Sequence, residues 1–307
     1  MVNEMRNYAI VEGILSEIGI EKSSFTDKKT GNLVACIRGD LKVRVNIPIV
    51  SGGEVKELEV PVRFFTKQYT NSGAEHPGYT GLMNIIEHGK SIAAVGLEQA
   101  DAVRITGCRI AMQEYYTADG RFMTFPSING SFVTVIKRED MEPKAKAEVE
   151  IVVQQFKDVV DKEGLETGEL QIVGAHVGYG EYTDLIPFTT SNPKYIAAIR
   201  AQYSEGDAMK VVAALNFSSR TEKFYEEVAI GDPIERTRTV NVSDLVIASI
   251  APAEAMTNDV NEAELRECLK KRDARIAALK DKASQKKAAA PVAAKAKAAE
   301  SKVDLGF

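Results

Sequence analysis

Tryptophan is absent from the chain, and histidine and cysteine occur three times each among 307 residues. Without tryptophan, any surface that stacks on flat ligands must use the ten tyrosines and eleven phenylalanines. Cys36, Cys108 and Cys268 are odd in number and far apart, with no C-x-x-C pair, so neither a disulfide framework nor a zinc site is expected. His76, His88 and His176 stand without a ligand or nucleophile pattern around them, and a lone histidine of this kind is expected to be structural. No G-x-S-x-G or H-E-x-x-H motif occurs. Gly89-Lys90-Ser91 has the ending of a phosphate-binding loop but follows a helical stretch, and the glycines from Gly174 to Gly180 sit between strands. No enzyme activity, cofactor or metal is expected. No run of eighteen apolar residues is present and the N-terminus has no apolar signal region, so a cytoplasmic setting without membrane contact is expected.

Charge is unevenly spread. Lysines 286, 287, 295, 297 and 302 against Glu300 give +4 in a short segment, leaving −8 for residues 1–283 within a total of −5, once Asp304 is set aside. So acidic a body argues against a purely electrostatic polyanion binder and still permits a locally basic groove.

The first 140 residues alternate in the manner of strands. Leu41, Val43, Val45, Ile47 and Ile49 alternate with Lys42, Arg44, Asn46 and Pro48. Leu58, Val60, Val62 and Phe64 alternate with Glu59, Pro61, Arg63 and Phe65, so a period of two puts one set inside and the other outside. Residues 8–20 form an earlier strand, with a turn over Asp27 to Asn32. Residues 102–116 and 122–125 flank Asp119-Gly120, a hairpin signal, and 132–136 close the set. Residues 81–88 read as a helix. Three strands, a helix and two strands is the order of an OB-fold barrel. A polar linker is expected over 138–146, after which strands at 147–156, 170–177, 184–189, 209–217 and 239–250, with a helix at 193–203, repeat the pattern.

The expected fold is therefore all-β dominated. Two tandem OB-like barrels (1–140 and 147–256) precede a C-terminal helix (257–283) and a disordered Lys/Ala-rich tail (284–307). Leu265, Leu269, Arg272, Ile276, Leu279 and Ala283 make a seam expected to dock on the body.

The tail ends in Asp304-Leu305-Gly306-Phe307, which joins an apolar ring, a free carboxylate and a second negative charge on a tether. This tip resembles the Asp-Ile-Pro-Phe end of bacterial single-stranded DNA-binding proteins, which also consist of OB-folds and a disordered linker; Asp304 and Phe307 match, and Leu305 is conservative. The resemblance implies single-strand binding in replication or recombination, in a bacterium or a phage, with Asp304, Leu305 and Phe307 docking partner proteins.

Such a binder stacks bases on aromatic rings and tracks phosphates with Arg and Lys. In the first barrel the candidates are Lys42, Arg44, Arg63, Phe65, Lys67 and Tyr69. Arg104, Arg109, Tyr115, Tyr116, Arg121, Phe122 and Phe125 join them around the Asp-Gly hairpin, as a clamp. In the second they are Tyr179, Tyr182, Lys210, Phe217, Arg220, Arg236 and Arg238. The rival expectation is a structural or assembly protein, such as a phage particle component of two β-domains. The sequence leaves oligomeric state open.

Overall fold

The computed structural model describes residues 4–49, 53–117, 119–161, 163–226, 234–252 and 261–300, without the side chains of 219–222, 226, 234, 238–241 and 286–300. Strands β1 (Asn7–Thr26), β2 (Leu33–Pro48) and β3 (Val55–Lys67) pair antiparallel in succession. Helices α1 (Pro77–His88) and α2 (Ile92–Val95) follow, then β4 (Ala102–Tyr116), β5 (Phe122–Asn129) and β6 (Phe132–Ile136). β5 pairs parallel with β3 at Val62–Ile128 and antiparallel with β4, and β4 returns to β1. The circuit β1-β2-β3-β5-β4-β1, with a helix between β3 and β4, is an OB barrel.

The second half repeats that circuit. β7 (Lys144–Val160), β8 (Glu166–Val177) and β9 (Thr183–Thr190) lead through α3 (Pro193–Gln202) to β10 (Ala208–Glu226) and β11 (Ile234–Pro252). β9 meets β11 in parallel at Thr189–Val246, and β10 closes on β7. The two OB-like barrels expected from element order are therefore present.

Alternation explains the cores. Leu41, Val43, Val45, Leu58, Val60, Val62 and Phe64 are buried, and each such side chain contributes about 1.5–3 kcal/mol through burial. Gly39 makes the tight approach of β1 and β2 workable. It has φ +128°, and a Cβ there would fall 2.1 Å from the Gly19 carbonyl oxygen.

β1 also pairs antiparallel with β7, Asn7–Glu12 against Lys144–Val149, so one continuous sheet crosses both barrels. The linker is consequently shorter than the 138–146 expected. A 3-10 turn at Arg138–Asp140 suffices, and Lys144 already belongs to β7 because β1 offers its backbone edge there. At this seam Glu12 is fully buried. Burial pushes its carboxyl up, but hydrogen bonds from Arg104 (2.7 Å) and the Glu142 N–H (2.7 Å) outweigh that and hold its pKa below the usual range.

α1 begins four residues before the expected start, with Pro77 in its first turn and the His76 ring Nδ1 accepting from the Gly78 N–H at 3.1 Å. α4 (Glu262–Glu300) starts behind Asn261, whose side chain accepts from the Glu264 N–H at 2.9 Å. Leu265 and Cys268 are buried against Met5, Val152, Ala175 and Val177, so the helix docks on the body. It continues past the expected boundary at 283, through an alanine-rich stretch that favours helix except at Pro291. No described helix is long and apolar enough to cross a membrane.

Candidate nucleic-acid interface

The outward positions of β2 and β3 form one wall of a groove on the first barrel. Arg63 stands at its centre, donating from Nη1 to Gln113 Oε1 at 2.7 Å and lying 3.5 Å from Asp40. Phe65, 59% exposed, packs its ring 5.5 Å from Phe25, and Lys67 Nζ sits 5.5 Å over that same Phe25 ring. Tyr69 is exposed just beyond. A cleft of about 770 Å³ lies along Arg38, Asp40, Arg63, Phe65 and Arg109. It shares Phe65 and Ser131 with a smaller cleft around Lys67, Tyr69 and His76. On the other side it shares Asp40 and Arg63 with a third, lined by Lys42, Tyr115 and Phe125 and, from the second barrel, Pro187, Ser218 and Ser243. Shared walls make the three clefts one groove, ending between the barrels.

Strand register sorts the hairpin residues. Tyr115 lies opposite Met123, Gln113 opposite Phe125, and Tyr116 opposite Phe122. Directly paired residues share a face, so Tyr115 and Phe125 look into the groove with their rings edge-to-face at 6.2 Å. Tyr116 and Phe122, with rings 5.2 Å apart, lie on the opposite face. The four aromatics expected around one clamp are thus split two and two. At the tip, Asp119 accepts from the Thr117 hydroxyl and from Arg121 Nε (2.5 Å), and these bonds hold its carboxyl below the usual range.

The groove's cations have carboxylate neighbours. Lys42 is 2.6 Å from Glu17, Arg38 3.4 Å from Glu21, Arg44 3.5 Å from Glu57 and Arg109 3.3 Å from Glu4. The hydrogen bond to Glu17 raises the Lys42 pKa. Exposed pairs of this kind are worth only about 0–1 kcal/mol, so an incoming phosphate can replace the carboxylate cheaply. Arg104 differs: it is tied to the fully buried Glu12 and belongs to the seam between the barrels.

The second-barrel candidates do not converge. Lys210 pairs with Glu148 at 2.7 Å and is largely buried, and Phe217 is core. Tyr182 lies beneath Arg275 of α4, 3.9 Å from guanidinium carbon to ring centre, while Tyr179 is 82% exposed on a turn. Arg220, Arg236 and Arg238 sit on the long β10–β11 ribbon, Arg236 opposite Phe224; the side chains of Arg220 and Arg238 lie outside the described residues. The outward positions of β8 and β9 are Glu169, Gln171, Val173, Leu185, Pro187 and Thr189, with neither cation nor aromatic ring. Asp304, Leu305 and Phe307 lie outside the described residues.

Sequence reasoning missed Phe25, Arg38 and Gln113. Phe25 was detectable from its place just before the Asp27–Asn32 turn, at the rim where β1 and β2 leave the barrel. Gln113 carried no signal, because its role depends on β4 crossing Arg63. His176 is buried, its Nδ1 3.1 Å from the Glu150 carbonyl, and burial lowers its pKa. No group of three or more His, Cys, Asp or Glu among the described residues could hold a metal ion.

No curated protein matches the chain. Among solved structures, the wild-type single-stranded DNA binding protein from Thermus aquaticus is similar at 10% identity and TM-score 0.47, over 85% of this chain and 99% of that one. A deletion mutant of the same Thermus aquaticus protein is similar at 11% identity and TM-score 0.47, over 84% and 98%. The model of the family described as YorF matches residues 6–282. That match spans nearly the whole chain from β1 into α4, and the protein belongs to the YorF family.

Proposed function

We propose that the protein binds single-stranded DNA without sequence preference, in replication or recombination, by laying the strand along the first barrel's groove. The observation that carries this reading is the interleaving of exposed rings and cations along one path: Tyr69, Lys67, Phe65, Arg63, then Lys42 beside Tyr115 and Phe125. Rings accept any base by stacking, and cations that contact phosphates carry no sequence information. A groove walled by two barrels suits a flexible single strand, whose bases are free to reach the rings, better than a stacked duplex. The C-terminal tip, with Asp304, Leu305 and Phe307, would then dock replication or recombination proteins while the body holds DNA.

Titration of labelled single- and double-stranded oligonucleotides at two salt concentrations tests the reading. Single strands should bind more tightly, with affinity falling as salt rises. Equal binding of both, or of neither, overturns it. Deleting residues 305–307 should leave DNA affinity unchanged and abolish partner capture.

A further inference from the structure

Resting on the single-strand reading, we infer that Glu114 is a positioning residue, through which helix α4 holds the β4–β5 hairpin so that Tyr115 and Phe125 face the groove. The hairpin needs such a hold. Among the described residues, 113–116 of β4 pair only with 122–125 of β5, while β1 and β6 flank β4 lower down and β3 reaches β5 only at Ile128 and Asn129. Beyond the barrel it is a two-stranded ribbon, and such ribbons are marginal alone.

Glu114 occupies the face opposite Tyr115, with its side chain 2% exposed. One carboxylate oxygen is contacted by Arg272 Nη2, and the other is 3.1 Å from Arg275 Nη2. Arg275 also donates to the Thr183 carbonyl at 2.9 Å, lies 3.8 Å from Asp184 and covers the Tyr182 ring. Asp184 in turn accepts from the Met112 N–H at 3.3 Å. One buried cluster therefore ties β4, β9 and α4 together behind the groove's aromatic wall.

The cluster is also incompletely satisfied among the described residues: Asp184 Oδ1 and Arg272 Nε lack hydrogen-bond partners, and Glu114 Oε2 has its ion pair with Arg275 but no hydrogen bond. Apolar side chains would bury more favourably there, so charge at this place suits orientation better than stability. The consequence is coupling. Whatever shifts α4 shifts the hairpin, and a strand seated against Tyr115 tightens α4 on the body.

Hydrogen exchange on the full chain without DNA, joined to single-strand affinity, tests the inference. R272A and R275A should speed exchange in residues 113–116 and 122–125 while leaving β2 and β3 unchanged, and each should weaken single-strand binding by about tenfold. R272K should restore both in part. Faster exchange throughout the chain would make the cluster a general stabiliser and overturn the proposal. Lost affinity with unchanged hairpin exchange would also overturn it, since the arginines would then touch DNA themselves. If the wild type binds no single strand, the functional reading fails, and hairpin exchange still decides whether α4 braces the hairpin.

Discussion

The two barrels share one winding and differ on their outer faces. On β2 and β3 the outward side chains include Lys42, Arg44, Arg63, Phe65 and Lys67, whereas the matching positions of β8 and β9 carry Glu169, Gln171, Val173, Leu185, Pro187 and Thr189. The inward sides of both are largely apolar, although the second also buries His176, Asp184 and Thr190. Period-two alternation lets a strand keep its core while its outer face varies freely, so identical topology says nothing about shared function. In this protein the first barrel has a groove, and the second supplies that groove's far wall and the seat for α4.

Mutation tests this contrast, most strongly at the groove. Replacing Phe65 and Tyr115 together by alanine should weaken single-strand affinity by about 2–6 kcal/mol, at roughly 1–3 per stacked ring, without changing thermal stability. Fluorescence anisotropy and calorimetry would check both parts; an affinity held within about twofold would show that the groove is not the site.

Asp184 comes next, on the second barrel. Burial, with Glu114 nearby, raises its carboxyl from 3.8 to about 6. A raised carboxyl pKa penalises the ionised form in the fold. This group's contribution is therefore best below pH about 3.8, declines as pH rises through about 6, and is flat above. D184N, which keeps an acceptor for the Met112 N–H, should add on the order of 2 kcal/mol at pH 7 and flatten stability between those pH values. Denaturant melts at pH 4 and pH 7 measure this, and an unaltered pH dependence would show that Asp184 is not buried in the folded protein.

A smaller effect concerns salt. Because Lys42, Arg44, Arg63 and Arg109 already face carboxylates, the slope of log affinity on log salt should be shallower than about −0.7 per cation for these four. A steeper slope would mean that they act as free charges. The smallest effect belongs to the second barrel's own face: Q171A and T189A should leave single-strand affinity within about 0.5 kcal/mol. A loss comparable to that at Phe65 would restore equivalence between the barrels.

Much of this was legible in local pattern. The alternation that buries Phe64 and exposes Phe65 needs no knowledge of neighbouring strands, and the Asp-Gly turn announces the hairpin. Tyr115 and Tyr116 could not be separated by composition, since both are tyrosines in an exposed strand end. Alternation puts them on opposite faces, and only the pairing with β5 and the cleft beside Phe125 decide that Tyr115's face is the groove's. Lys210 and Tyr182 looked like groove residues because sequence carries no sign of Glu148 or Arg275 arriving beside them.

Strands, their inward faces and the order in which they wind follow from local sequence, because hydrophobic period and turn chemistry act over a few residues. Which outward residues meet depends on how the whole chain closes. Closure of each barrel, the β1–β7 seam and the docking of α4 bring together side chains from distant segments, Arg63 with Gln113 and Glu114 with Arg272. Contacts between distant segments depend on the whole chain's closure, and no local period records them.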